Sequence, residues 1–277
     1  MNIAFSPCPN DTFVFHAWVH GLVAGAPKLD VTYADIDKTN FWAAERTGPE
    51  VMKISYAALP WVLEDYALLP CGGALGRGCG PLLLTAKPST NPKQLQGATV
   101  AVPSERSTAY LLFRLFAAQQ VHGGIGQVVV MPFHEIMPAV RDGKVDAGLV
   151  IHEARFTYQN YDLHMLVDLG DWWEKDTGHP IPLGAIIAKR SLDKEEITNW
   201  IRASVQEAFK HPNQSAEYVA THAQEMSEAV TEAHIQLYVN DYTLDLGESG
   251  YDAVVELLGR AMQEQLVPEF DLSLLKT

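Results

Sequence analysis

Residues 98–116, Ala98-Thr-Val-Ala-Val-Pro-Ser-Glu-Arg-Ser-Thr-Ala-Tyr-Leu-Leu-Phe-Arg-Leu-Phe116, pass from one kind of regular structure to another within a few positions. ATVAV is a short apolar run suited to a buried strand, and Pro103-Ser104 punctuates it. Ser107 or Thr108 can then cap a helix that runs to Val121. A wholly apolar strand, a short polar turn and a capped helix form the repeating half of a β-α-β unit in a sheet covered on both faces.

The same alternation extends outward through the first two thirds of the chain. Strands are predicted at Asn2 to Phe5, Leu29 to Tyr33, Val51 to Ile54, Pro81 to Thr85, Val128 to Met131, Ala147 to Ile151 and Gly184 to Ala188. Helical patterns lie between them at Asp11 to His20, Phe41 to Thr47, Tyr56 to Glu64 and Glu135 to Asp142. The fold class is therefore α/β, with parallel units. After Arg190 the character changes, and Asp193 to Lys210, Ser215 to Gln224, Thr231 to Tyr242 and Ser249 to Gln265 all read as amphipathic helices. Two stretches read as connections: Lys87 to Pro92, and Thr177 to Pro182. A chain that crosses at the first and returns near the second forms one discontinuous lobe from residues 1–87 and 190–277, and another from 88–189, with the active site in the cleft between them.

Composition narrows the partners. A formal net charge of −14 argues against nucleic acid or an anionic membrane, both of which need a basic face, but leaves room for an anionic small molecule held by a local field. The 3 cysteines, Cys8, Cys71 and Cys79, form no CxxC and read as reduced thiols of a cytoplasmic protein. No basic leader and no run of apolar residues long enough for a membrane span is present in the sequence.

Ligands of open α/β sheets sit beyond the carboxyl ends of strands, where helix N-termini converge. Asn10-Asp11-Thr12 after the first strand, Lys53-Ile54-Ser55 at the end of the third and Ser104 to Thr108 after ATVAV all fall there. The last is a ready carboxylate site, with Ser107, Thr108 and Ala109 at a helix start; each stretch also reads as ordinary capping. Asn10 and Asp11 are read as caps of the first helix, held beside the cleft by Pro7 and Pro9. Cys8, with no basic partner nearby in sequence, reads as packing. His152, in LVIHEARFTY, stands where an apolar strand gives way to charged residues and is the candidate proton acceptor. His16 and His20 lie one helical turn apart, but Ala17 replaces the glutamate of a zinc helix and no third ligand is evident, so no metal site is predicted. The glycine-rich run from Gly72 to Pro81 lacks the ending of a phosphate loop and predicts a tight turn or hinge that lets backbone approach a ligand.

SPCPNDTF, the KIS triplet ending at Ser55, LGRGCGPLLL, ERSTAYLLF and IHEARFTY, in this order from Asn2 to Tyr158, resemble the 1,4-dihydroxy-6-naphthoate synthases of the futalosine pathway to menaquinone. The resemblance implies a two-lobed fold like type 2 periplasmic binding proteins, with a helical C-terminal third. It implies a lyase that works without a cofactor, converting cyclic dehypoxanthinyl futalosine to 1,4-dihydroxy-6-naphthoate and releasing the sugar-derived fragment, dihydroxyacetone. It also implies a histidine as proton acceptor, which falls on His152, and substrate contacts at Lys53, Ile54, Ser55, Thr108 and Ala109. Arg77 and Cys79 depart from the less polar or bulkier residues expected there. The related chorismate dehydratase of the same pathway, and a solute-binding protein for a small carboxylate, are the alternatives.

Overall fold

The computed structural model describes residues 1–223 and 227–276. Ten strands form two sheets of five. They are β1 (Asn2–Phe5), β2 (Asp30–Tyr33), β3 (Val51–Ser55), β4 (Tyr66–Gly76), β5 (Leu82–Thr85), β6 (Thr99–Val102), β7 (Gln127–Val130), β8 (Ala147–Val150), β9 (His164–Asp168) and β10 (Ile181–Lys189). The first sheet has the order β2-β1-β3-β10-β4 and the second β7-β6-β8-β5-β9.

The expectation of purely parallel units needs correcting. β1 is parallel to β2 and β3, and β6 to β7 and β8, but β10 runs antiparallel to β3 and β4, and β5 antiparallel to β8 and β9. The reason is the route of the chain. The parallel strands all end at the cleft, so a strand that arrives directly from the other lobe enters its sheet at that carboxyl edge and must run the opposite way.

The chain changes sheet between Gly76 and Leu82 and returns between Asp168 and Ile181, earlier than the expected 87 and 190. Two strands hid this. In β4, Gly72 and Gly73 read as turn chemistry, yet the eleven residues form one strand paired with β10 through two register shifts. Gly73 is required there, because a Cβ would come within 2.6 Å of the Gly184 carbonyl oxygen. The backbone approached at the glycine run is thus another strand. β9, HMLVD, was not foreseen, nor was the helix Leu169–Thr177, which Asp168 caps through the amides of Gly170 and Asp171.

Several helices differ in extent. Tyr56–Trp61 is a 3₁₀ turn, shortened by Pro60, and the Phe41 pattern belongs to a helix Ile36–Ala44. The Ser215 pattern becomes Ala216–His222, with Gln224 outside the described residues. The Thr231 pattern becomes Glu228–Tyr238 followed by Asp241–Leu244, separated where Asn240 caps the second. Lys194–Lys210 packs on β4 and on the first helix, Pro9–Val19. Ser204 ties that contact, donating to the Val14 carbonyl at 2.6 Å and accepting from the Trp18 amide at 3.3 Å. Gly247–Gln263 touches both β10 and the helix Thr108–Gln120, so the last third braces both lobes. A continuous apolar core joins them, from Met52 and Ile54 through Leu83, Val100 and Leu112 to Leu257. Among the described residues no helix is long and apolar enough to cross a membrane.

Candidate active site

The ends of β1, β3, β6 and β8 surround a cavity of about 640 Å³, open mouth included. Ser6, Asn10, Asp11, Lys53, Ser55, Ser107, Thr108, Ala109 and His152 line it, so the four predicted stretches converge. Its walls are apolar: Ile36, Ala74, Pro81, Ile151 and Leu183, closed by Tyr238. Ile54 is the exception among the predicted contacts. Alternation along β3 turns Lys53 and Ser55 to the cavity and sends Ile54, 0% exposed, into the core.

The first lobe contributes a closed polar network. Cys8, not Asn10 or Asp11, occupies the N-cap of Pro9–Val19, and its side chain makes no capping bond. Pro9 fits because the first helical position needs no amide donor. Asn10 and Asp11 therefore sit inside the first turn with their side chains free for other work. Asp11 forms a buried ion pair with Lys53 and accepts further bonds from the Ser6 hydroxyl and the Asn10 amide, both at 2.8 Å. Lys53 thus meets its counter-charge within the protein. Asn40 fixes Ser55 by accepting from its amide at 2.7 Å and donating to its hydroxyl at 3.0 Å.

At the helix start expected to hold a carboxylate, the side chains have other partners. Ser107 is the cap of Thr108–Gln120, accepting from the Tyr110 amide at 3.1 Å. The Thr108 hydroxyl is committed to the frame: it donates to the Leu183 carbonyl at 2.8 Å and accepts from the Ala57 amide at 3.2 Å. The first amides of a helix have no intrahelical acceptor, so those of Thr108 and Ala109 are without one within their own helix.

His152 follows β8 by two residues and takes a left-handed backbone, φ 54°, a conformation a non-glycine residue adopts at a cost of order 1 kcal/mol. Its Nδ1 lies 3.6 Å from the Cys8 sulfur, which the sequence reading had left without a basic partner. Phe133 meets the ring edge-on at 5.9 Å. Burial opposes charge on this imidazole, but Cys8, through charge and hydrogen bond, and then Glu153 and Asp11 outweigh it and hold its pKa up to about 9.

A second histidine escaped the sequence reading. His234, on Glu228–Tyr238, is 0% exposed and lies parallel to His152 with ring centroids 6.1 Å apart. Burial first, then the proximity of His152 and Lys53, pushes its pKa down to about 3, so it is neutral. Its Nε2 is 3.0 Å from the Asn10 side-chain oxygen Oδ1, which makes that nitrogen the donor and leaves a bare lone pair on Nδ1, which has no partner. Nothing local marks it, since a histidine in EAHIQLY looks like any helical polar residue. The two residues that departed from the family pattern take no part in the polar machinery. Arg77 is exposed and bonds Glu174 and the Gly178 carbonyl, while Cys79 lines the cavity as a neutral thiol, its pKa pushed up to about 12 by burial. Among the described residues no cluster of three or more metal-ligating side chains occurs.

Comparison with known proteins follows the same line. A family model described as menaquinone biosynthesis matches residues 1–263. A protein of Streptomyces coelicolor named 1,4-dihydroxy-6-naphthoate synthase is 65% identical, over 97% of this chain and 95% of its own. One of the same name from Thermus thermophilus is 44% identical, over 94% and 93%. A crystal structure of an Archaeoglobus fulgidus protein superposes with a TM-score of 0.87 at 32% identity, covering 96% of this chain and 98% of that one. The periplasmic aliphatic sulphonate binding protein of Escherichia coli superposes with a TM-score of 0.71 at 13% identity, covering 99% and 90%, a likeness of fold alone.

Proposed function

The chain belongs to the menaquinone biosynthesis family, and from that premise we infer that it is a lyase that forms 1,4-dihydroxy-6-naphthoate from cyclic dehypoxanthinyl futalosine. The reading favours this activity over chorismate dehydratase, because both curated relatives carry the synthase name along nearly their whole length. It favours an enzyme over a solute receptor because an imidazole is brought to an anion site. Three unpaired cysteines support a cytoplasmic setting.

The observation that carries the reading is the cleft itself, in which apolar walls suited to a flat ring system, the start of the helix Thr108–Gln120 and His152 line one cavity. The Thr108 and Ala109 amides would hold the substrate carboxylate, and Ser55 and Ser6 would meet its hydroxyls. His152 would take the proton whose loss lets the sugar-derived fragment depart, with aromatisation as the driving force. An enzyme that orients a rigid substrate this way gains from a frame that does not move, and the Asp11–Lys53 network supplies one.

His152→Asn tests this reading. Removing a positioned base costs about 10² to 10⁴ in rate while carboxylate contacts remain, so kcat should fall by that factor and product affinity should stay near wild type. Retention of more than about a tenth of kcat would remove His152 from the role. Because the working form of the imidazole is neutral, kcat/KM should also climb with pH toward about 9.

A further inference from the structure

The contact between Cys8 and His152 joins the two lobes across the cleft. Cys8 stands at the start of the first helix, fixed by Pro7 and Pro9, and its amide donates to the Ser6 hydroxyl at 3.3 Å. His152 comes from the end of β8 in the other sheet, 144 residues away, and its left-handed backbone turns Nδ1 to within 3.6 Å of the sulfur. The remaining ring nitrogen, Nε2, is the one left for the cavity that His152 lines.

We propose that Cys8 is a positioning residue for catalysis, forming with His152 a thiolate–imidazole pair in which the sulfur holds the Nδ1 proton and thereby presents Nε2 to the substrate. A charged sulfur serves this role better than a thiol, which accepts a hydrogen bond only weakly. If Sγ–H donates to Nδ1, the neutral ring carries its own proton on Nε2 and cannot accept another there. With one proton fewer, Nδ1–H donates to the thiolate and the Nε2 lone pair is free. Nε2 then takes one proton from the substrate, whose C–H or O–H electron pair stays behind, and the imidazolium formed lies beside a negative sulfur. Cys8 thus does for His152 what a buried carboxylate does for the histidine of a Ser-His-Asp triad. The start of a helix favours a thiolate, as does a cationic partner.

The other groups facing His152 do not substitute for the sulfur. Glu153 and the Lys53-paired Asp11 also raise its pKa but rank after Cys8 and make no hydrogen bond to its ring, His234 is kept uncharged by burial, and Phe133 offers only a ring edge. Cys71 and Cys79, each 2% exposed, are inert by burial and serve as internal controls.

The proposal rests on the lyase reading only for its catalytic consequence, so two measurements separate the failures. The first needs no turnover: folded wild type and His152→Asn are treated with iodoacetamide at pH 7 and the extent of modification at each cysteine is followed by mass spectrometry. Cys8 should be the labelled residue, and its labelling should slow at least tenfold in His152→Asn; equal rates would mean that no pair exists, whatever the enzyme does. The second is the pH profile of kcat/KM for wild type, Cys8→Ala and Cys8→Ser. Loss of the sulfur removes what holds the imidazole protonated, so the rising limb should move at least one pH unit lower in both variants, even as the plateau falls. A limb that stays in place while the whole profile drops uniformly would show that Cys8 acts only as packing. If wild type has no lyase activity, the labelling experiment still decides the pair, and the functional reading alone is lost.

Discussion

Two helices start at the cleft, Pro9–Val19 after β1 and Thr108–Gln120 after β6, at equivalent places in two sheets whose strand orders repeat one another. Their N-termini have been used in opposite ways. The first is filled by the protein itself, with Asp11 set in its opening turn against Lys53, Ser6 and Asn10. The second is capped by Ser107, and its first two amides are left for something from outside. The difference shows how one local motif serves as scaffold in one lobe and as binding site in the other. In one case the chain carries the carboxylate; in the other, the proposed function leaves it to the substrate.

Breaking the first half of this contrast should have the larger effect. Lys53→Met leaves the Asp11 carboxylate buried without its counter-charge, and removal of one partner of such a pair costs about 3 to 5 kcal/mol in chemical denaturation. The double variant Asp11→Leu/Lys53→Met should recover most of that loss. A single variant as stable as wild type would mean that water already solvates the pair and that this N-terminus is not closed.

The second half is tested with the ligand. A charge-assisted hydrogen bond contributes about 1.5 to 3 kcal/mol, so 1,4-dihydroxynaphthalene should bind roughly ten to a hundredfold more weakly than 1,4-dihydroxy-6-naphthoate in calorimetry. Equal affinities would place the carboxylate elsewhere. Thr108→Val sharpens the same point from the protein side. It strands the Leu183 carbonyl and the Ala57 amide, so we expect about 1 to 2 kcal/mol of lost stability, while product affinity in the folded variant changes less than the missing carboxylate does. A large loss of affinity with unchanged stability would return the hydroxyl to the binding role.

The smallest effect concerns pH. His234 has a folded pKa below its unfolded value near 6.5, so the stability it contributes is present above pH 6.5 and is lost as pH falls toward about 3. His234→Gln keeps a donor for Asn10 but cannot be protonated. Between pH 7 and 5.5 the variant should lose about 1 kcal/mol less than wild type in urea unfolding. An identical loss would show that His234 takes up its proton without opening the network.

How far the sequence reaches can be judged from particular residues. ATVAV followed by Ser107 declared strand, cap and helix, because apolar run, punctuation and capping residue all agree locally. The sequence points to Lys53, Ser55, Ser107, Thr108, Ala109, Asn10, Asp11 and His152 because strand ends are where ligands gather, and all of them line one cavity. β4 was missed because Gly72 and Gly73 advertise a turn, while only the neighbouring β10 shows that the glycines admit a closely packed strand. Whether a strand runs parallel or antiparallel was likewise illegible, since that depends on which lobe the chain has come from.

By itself the sequence determined what is written over a few adjacent residues: the elements, the rigid turn of SPCPNDTF, the free helix start at Thr108 and the strand-end histidine. Only the tertiary structure decided what each group meets. It placed Cys8 beside His152 from 144 residues away, paired Asp11 with Lys53 across 42, and brought His234 to Asn10 across 224. Charge state and hydrogen-bond role follow from neighbours in space, and those neighbours come from parts of the chain that carry no mark of one another. That is why the same reading could find the residues of the cleft and still assign Thr108 and Cys8 the wrong partners.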